Sequence, residues 1–232
     1  RGAGTDVIKV HGVDLMHGSN YTIIPDQIEA GTYMAAAVAA GGDVTVENVI
    51  PKHMEPITQK LRAAGADIRE GDDWIRVRRT GPLLKINVKT LPQMTAILTL
   101  PHPGFPTDMQ PQMTAMLTLA EGTSIITEGV WDNRFKYVDE LNRLGASITV
   151  DGKVAVVEGV RELTGAPVKA IDLRGGAAVI IAGLIAHGTT EIEDIIHIER
   201  GYEDVVEKFA GIGADFKKVH VPDQVPAMPQ VQ

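Results

Sequence analysis

The chain has 232 residues, with 22 Lys and Arg against 30 Asp and Glu, a formal charge of -8 and no cysteine. Those counts exclude a broad basic face for nucleic acid or an anionic membrane surface. They also exclude disulfides, thiolate metal sites and a cysteine nucleophile within these residues, so any anionic ligand has to be held by a local cluster.

Residues 1–24 carry one strand pattern, Val7 to Val10, followed by a Gly, Ser and Asn-rich connection. They belong to no repeat and read as the end of a preceding lobe or a linker, with a boundary at Ile24-Pro25. The chain opens at Arg1 without an initiator Met, so a piece of something longer is expected. From Pro25 one unit comes round three times, over 25–90, 101–160 and 168–219. A polar or Pro-containing turn (PDQIE, PTDMQ, DLRGG) feeds an apolar helix; a Gly-led β-branched strand, a connection, an amphipathic helix, Gly-Ala and a further strand follow. Landmark glycines recur at 42 and 65, 122 and 145, and 188 and 213. The near-constant internal spacing of 23, 23 and 25 residues signals repeated supersecondary units.

The first helices of the units, at 30–40, 112–120 and 177–186, are apolar almost all round and are expected to be buried. The second helices place Ile57, Leu61 and Ala64, then Val138, Leu141 and Leu144, then Val205, Phe209 and Ile212 at three- and four-residue steps, the pattern of a helix covering a sheet. Strands are predicted at 68–70, 74–78, 85–89, 148–150 and 154–158. The fold class is therefore α/β, three βαβαββ-like units with buried central helices whose amino ends lie together if an approximate threefold relates them. PQMTAILTL (92–100) recurs as PQMTAMLTL (111–119), so 91–100 is expected to be a local duplication or insertion. The Pro-rich tail 220–232 is expected to be disordered. The longest apolar run, AAVIIAGLIA at 177–186, has ten residues, too few to span a bilayer. With no signal pattern ahead of it, a cytoplasmic protein with no membrane partner is expected.

Familiar catalytic signatures are missing: three serines without G-x-S-x-G, no Walker A and no H-E-x-x-H. The seven histidines are scattered, and His197 reads as a connector rather than a metal ligand; neither metal nor cofactor is expected. The polar residues at helix starts say more. Asp108, in GFPTDMQ, is either a helix cap or first-turn acid or an acid displayed for chemistry. Arg174 stands at a helix start, unfavourable for a cation unless an anion is there too. Arg134 and Arg200 fall in matching connections of the second and third units. Three guanidiniums on one rim would hold a phosphate or carboxylate; the plain alternative is three surface arginines.

The stretches IIPDQIEAGTYMAAAVAAGG, HPGFPTDMQPQ, DNRFKYVDELNRLGA, DLRGGAAVIIAGLIAHGTT and HIERGYEDVVEKFAGIGAD, nearly everything from 23 to 215, resemble the enolpyruvyl transferases. The combination FPTDMQ, NRF and RGYE is similar to the branch that acts on UDP-N-acetylglucosamine in peptidoglycan synthesis. The resemblance implies one lobe of a two-lobe inside-out α/β barrel. It implies transfer of the enolpyruvyl group of phosphoenolpyruvate to the 3-hydroxyl of UDP-N-acetylglucosamine. It gives Asp108 the role of general base, assigns Arg134, Arg174 and Arg200 to phosphoenolpyruvate or lobe closure, and places Thr107, Val130 and Trp131 at the sugar nucleotide. The family's Cys-bearing lid loop and the residues completing both sites belong to the other lobe, which nothing here matches, so little turnover is expected of this chain alone. The branch acting on shikimate 3-phosphate, and a non-catalytic repeat module that binds an anion or a partner protein, remain as alternatives.

Overall fold

The computed structural model describes residues 1–3, 5, 7–84 and 97–220. In the first unit Asp26 caps α1 (Gln27–Ala40), its Oδ1 accepting from the Ile28 N–H at 2.7 Å. The Ala, Val and Met residues of α1 leave no polar stripe, so nearly the whole helix is buried. Next come β1 (Asp43–Glu47), α2 (Pro51–Ala63), β2 (Asp67–Glu70) and β3 (Trp74–Arg78). The strands form an antiparallel sheet in the order β1-β3-β2, with Ile68, Ile75 and Val77 turned inward. Alternating Arg and apolar residues along β3 put one face in water and one in the core.

The second unit repeats this plan with β4 (Ile97–Leu98), a 3-10 turn (Thr107–Met109), α3 (Gln110–Leu117), β5 (Thr123–Thr127), α4 (Val138–Arg143), β6 (Ser147–Asp151) and β7 (Val154–Glu158). Its sheet order is β4-β5-β7-β6, with β4 parallel to β5 and the rest antiparallel. The third unit contains β8 (Leu163–Thr164), β9 (Pro167–Lys169), α5 (Leu173–Ile185), β10 (Ala186–His187), β11 (Glu191–Glu193), α6 (Ile196–Glu199) and α7 (Val205–Gly211). Here β9 pairs in parallel with β11, as β4 does with β5. The strand entering each of these two central helices thus lies beside the strand leaving it. Helices α1, α3 and α5 pack on one another as the innermost layer, and Met34, Met113, Val179 and Ile181 are fully buried there. None of the helices among the described residues is long and apolar enough to cross a membrane.

Five of the six landmark glycines, Gly65, Gly122, Gly145, Gly188 and Gly213, have positive φ. In the first unit that conformation falls to Gly41, the left-handed C-cap of α1 whose N–H reaches the Ala37 and Val38 carbonyls, rather than to Gly42. Three other expectations differ from the structure. Val7 to Val10 form no strand and lie largely in water, because an extended segment has no ladder without a neighbour to pair with. The third unit ends without its closing strand: residues 214–220 are irregular, and no described segment offers them a hairpin partner. The central helices begin several residues earlier than apolarity alone indicates, at Gln27, Gln110 and Leu173, because their first turns are polar. The strand expected at 85–89, residues 91–96 of the repeated segment and the tail from 221 lie outside the described residues. Ile97 and Leu98, also in the repeated segment, pair with Ile126 and Thr127 and are built into the sheet.

Candidate active site

Asp108 sits in the 3-10 turn that opens α3. The N-cap of that turn, Pro106, makes no side-chain cap bond, and α3 itself has Pro111 in its first turn. The Asp108 carboxylate does not cap the helix. It reaches across to two guanidiniums, its Oδ1 accepting from Arg134 Nη2 at 2.8 Å and its Oδ2 from Arg174 Nη2 at 3.0 Å. Arg134 comes from the connection between β5 and α4, directly after Asn133, whose φ of 54° turns the chain inward. Arg174 stands in the first turn of α5, where Asp172 caps the helix by accepting from the N–H groups of Arg174 and Gly175 at 2.9 and 2.7 Å. The Asp108 side chain is 41% exposed and those of Arg134 and Arg174 only 20% and 15%, so the cluster opens to solvent on its acid side. Arg134 Nε is buried without a hydrogen-bond partner among the described residues. Burial disfavours the Arg174 charge, Tyr202 and Asp108 favour it, and the balance raises its pKa.

Two of the three sequence-predicted arginines therefore converge on the predicted acid. Arg200 does not join them: it follows α6, is exposed, and makes no ion pair or side-chain hydrogen bond among the described residues. Its neighbour Tyr202 does reach the centre. The Tyr202 hydroxyl lies 2.9 Å from Thr32 Oγ1 of α1, 3.4 Å from Gln112 Nε2 of α3 and 3.5 Å from Arg174 Nη1 of α5, and Arg174 lies 6.0 Å from the Tyr202 ring centroid. One phenol thus ties together the amino-terminal turns of all three central helices, and its burial pushes its pKa up. Tyr202→Phe is expected to cost about 1–2 kcal/mol, read from the denaturation midpoint. An unchanged midpoint would mean the phenol joins nothing.

Thr107, Val130 and Trp131 are also brought together, by a residue the sequence did not single out. Glu128 is 1% exposed. Its Oε2 accepts from Thr107 Oγ1 at 2.9 Å; its Oε1 accepts from Thr99 Oγ1 at 2.7 Å and from the N–H groups of Val130 and Trp131 at 2.8 and 3.0 Å. The side chains of Val130 and Trp131 are themselves 37% and 58% exposed. The only trace in the sequence is an acid at the exit of the strand TSIIT, where a solvated residue reads just as well.

An acid in the turn opening α3, an arginine in the first turn of α5 and another from the β5–α4 connection, open on one side, make a site suited to a phosphorylated or carboxylated ligand. Residues 1–209 match the family model described as EPSP synthase (3-phosphoshikimate 1-carboxyvinyltransferase), and the chain belongs to this family of enolpyruvyl transferases. It is 55% identical over 219 residues to UDP-N-acetylglucosamine 1-carboxyvinyltransferase 3 of Caldanaerobacter subterraneus subsp. tengcongensis, covering 94% of this chain and 50% of that one. To the UDP-N-acetylglucosamine 1-carboxyvinyltransferase of Desulfofundulus thermocisternus it is 51% identical over 228 residues, covering 98% of this chain and 90% of that one. The enolpyruvyl transferase NikO from Streptomyces tendae superposes with a TM-score of 0.74 at 29% identity, over 87% of this chain and 46% of that one. EPSP synthase from Acinetobacter baumannii does so at 0.65 and 18% identity, over 83% of this chain and 46% of that one, a likeness of fold alone. The fold is the α/β fold of the enolpyruvyl transferases. The chain spans about half the length of several of the curated relatives it matches.

Proposed function

We propose that this chain is one lobe, spanning 25–219 and led by the end of a preceding lobe at 1–24, of a cytoplasmic enzyme. The reaction transfers the enolpyruvyl group of phosphoenolpyruvate to the 3-hydroxyl of UDP-N-acetylglucosamine, the first committed step of peptidoglycan synthesis. The observation that carries this reading is the acid at the start of α3 held between Arg174 of α5 and Arg134 of the β5–α4 connection, in a chain whose relatives at 49–55% identity bear the UDP-N-acetylglucosamine 1-carboxyvinyltransferase name.

Asp108 accepts the proton of the 3-hydroxyl as the hydroxyl oxygen bonds to C2 of phosphoenolpyruvate, while the C2–C3 double bond opens and C3 takes a proton from an acid of the second lobe, giving a tetrahedral ketal. Loss of a proton from C3 then restores the double bond and expels phosphate. A carboxylate needs hydrogen-bond reach of the proton it takes, and the open side of Asp108 admits a hydroxyl. Arg134 and Arg174, with the exposed Arg200 completing the set, offset the charges of the phosphate and carboxylate through both steps. Thr107, Val130 and Trp131 contact the sugar nucleotide. A second lobe supplies the remaining groups, so this chain alone binds ligand with little turnover, and phosphate release at the rate of the whole enzyme by this chain alone would overturn that division of labour.

Calorimetric titration with UDP-N-acetylglucosamine and with shikimate 3-phosphate tests the substrate. Binding of the first and not the second is expected, and the reverse order would reassign the branch. Arg134→Ala with Arg174→Ala is expected to weaken phosphoenolpyruvate binding at least about tenfold, since each removes a charge-assisted donor. Unchanged binding by the double variant would leave a module whose anion site, if any, is elsewhere.

A further inference from the structure

Glu128 is the most deeply buried carboxylate among the described residues, and a buried carboxylate persists only where donors surround it. Its four donors come from three separate stretches of chain: Thr99 after β4, Thr107 in the turn that opens α3, and the Val130 and Trp131 amides beyond β5. Thr99 Oγ1 in turn accepts from the Gly129 N–H at 2.8 Å, so the loop leaving β5 is held at three consecutive amides. Thr107 is bonded to the residue that bears the acid, and holding its hydroxyl fixes where Asp108 leaves the backbone. The two loop amides fix where the exposed Val130 and Trp131 side chains stand. Buried as it is, Glu128 touches no ligand itself.

We propose that Glu128 is a positioning residue: one carboxylate sets the edge formed by Thr107, Val130 and Trp131 and keeps Asp108 in register with it. The inference rests on the reading of that edge as the sugar-nucleotide side of the site. It predicts a graded division: Arg174 stands on α5 and Arg134 lies further along the β5–α4 connection, and neither shares a bond with Glu128, whereas Thr107, Val130 and Trp131 bond to it directly. Glu128 therefore governs the nucleotide more strongly than the anion.

The test uses the full chain with Glu128→Ala, Glu128→Gln and, as a second buried acid that accepts from the Lys169 N–H, Glu140→Ala. Affinities for UDP-N-acetylglucosamine and for inorganic phosphate are measured by calorimetry, with hydrogen exchange of the Val130 and Trp131 amides followed in the unliganded chain. Glu128→Ala is expected to weaken UDP-N-acetylglucosamine about tenfold or more, which is about 1.4 kcal/mol, to leave phosphate within about threefold, and to speed exchange at both amides. Glu128→Gln, whose amide oxygen keeps the Oε1 acceptor, recovers most of the nucleotide affinity. Glu140→Ala changes neither affinity, whatever it does to the melting temperature. Parallel loss of both ligands in Glu128→Ala, or unchanged nucleotide affinity, would sink the inference and reduce Glu128 to a structural acid. Should the unmutated chain bind phosphate but no UDP-N-acetylglucosamine, the substrate reading fails instead. Exchange then decides Glu128 on its own: faster exchange at both amides in Glu128→Ala upholds positioning, and unchanged exchange overturns it.

Discussion

Asp108→Asn is expected to bind inorganic phosphate about two- to fivefold more tightly than the unmodified chain, while on the proposed mechanism the whole enzyme carrying the same change loses turnover. Asp108 is the counterion of both Arg134 and Arg174, at 2.8 and 3.0 Å. A phosphate arriving at those arginines has to displace a carboxylate that already satisfies them. Hydrogen bonds to charged groups contribute about 1.5–3 kcal/mol, but Asp108 is 41% exposed on its side chain, and solvent screening brings the pair down toward the surface range of about 1 kcal/mol or less. That discounted figure, converted at about 1.4 kcal/mol per decade, gives the fold-change. Asparagine keeps the size and one acceptor and loses the charge, so the competitor goes while the cavity does not. In catalysis the sign reverses, since an amide takes no proton from a hydroxyl. The gain in affinity should shrink as salt is raised, because the displaced interaction is electrostatic and partly exposed. An Asp108→Asn chain that binds phosphate equally or more weakly would mean the acid helps to hold the anion site together rather than competing for it. Phosphorus-31 line broadening or calorimetry separates the outcomes.

The competition gives the anion a second role within the proposed mechanism. Until phosphoenolpyruvate draws the guanidiniums away, both carboxylate oxygens of Asp108 are engaged by arginines; with the anion in place, the carboxylate is free for the hydroxyl. Order of binding and timing of proton transfer are then linked through three side chains that come from different repeats or connections and share no local sequence.

How far such a site is legible in a sequence depends on whether the signal is local. The repeat is legible because helix burial and left-handed glycines are set by nearby residues: Gly145 ends α4 with a φ of 94°, a conformation with steric cost for any residue carrying a Cβ. Asp108 and Arg174 stand out because each is a charge at a helix start, where the dipole favours the acid and disfavours the arginine. Arg134 and Arg200 are legible together because they fall in matching connections of the repeat, and the structure brings in only the first. Glu128 had no such rule. Its partners Thr99 and Thr107 lie 29 and 21 residues away, and nothing near it in the chain shows that a strand-end acid turns inward. Val7 to Val10 failed for the complementary reason, since an alternating apolar pattern describes what a strand would bury and not whether a neighbour exists.

Gly159 shows the same limit and carries the largest expected loss of stability. It follows β7, in a chain with many surface glycines, and has no unusual φ to mark it. Its N–H donates to the Gly122 carbonyl at 2.9 Å, and the next N–H, of Val160, to the Thr118 carbonyl at 2.7 Å, drawing the strand end tight against the end of α3. A Cβ built there would lie 1.7 Å from the Ala120 carbonyl oxygen and 2.8 Å from its carbon. These are backbone atoms with no rotamer to yield, so the strand or the helix end has to move. Gly159→Ala is expected to cost about 3 kcal/mol or more, at or beyond the upper end of ordinary overpacking, which in a chain of this size lowers the melting temperature by roughly 6–12 °C. Gly211→Ala is the control: it lies at the end of α7 with nothing within 4 Å of its Cβ position, and alanine there should be neutral or stabilising by up to about 1 kcal/mol. Because β7 pairs with β5 along its whole length and β5 leads directly into Glu128, the displacement should also speed hydrogen exchange at Val130 and Trp131. Equal melting temperatures for Gly159→Ala and Gly211→Ala would show that the strand end is not held where these contacts place it.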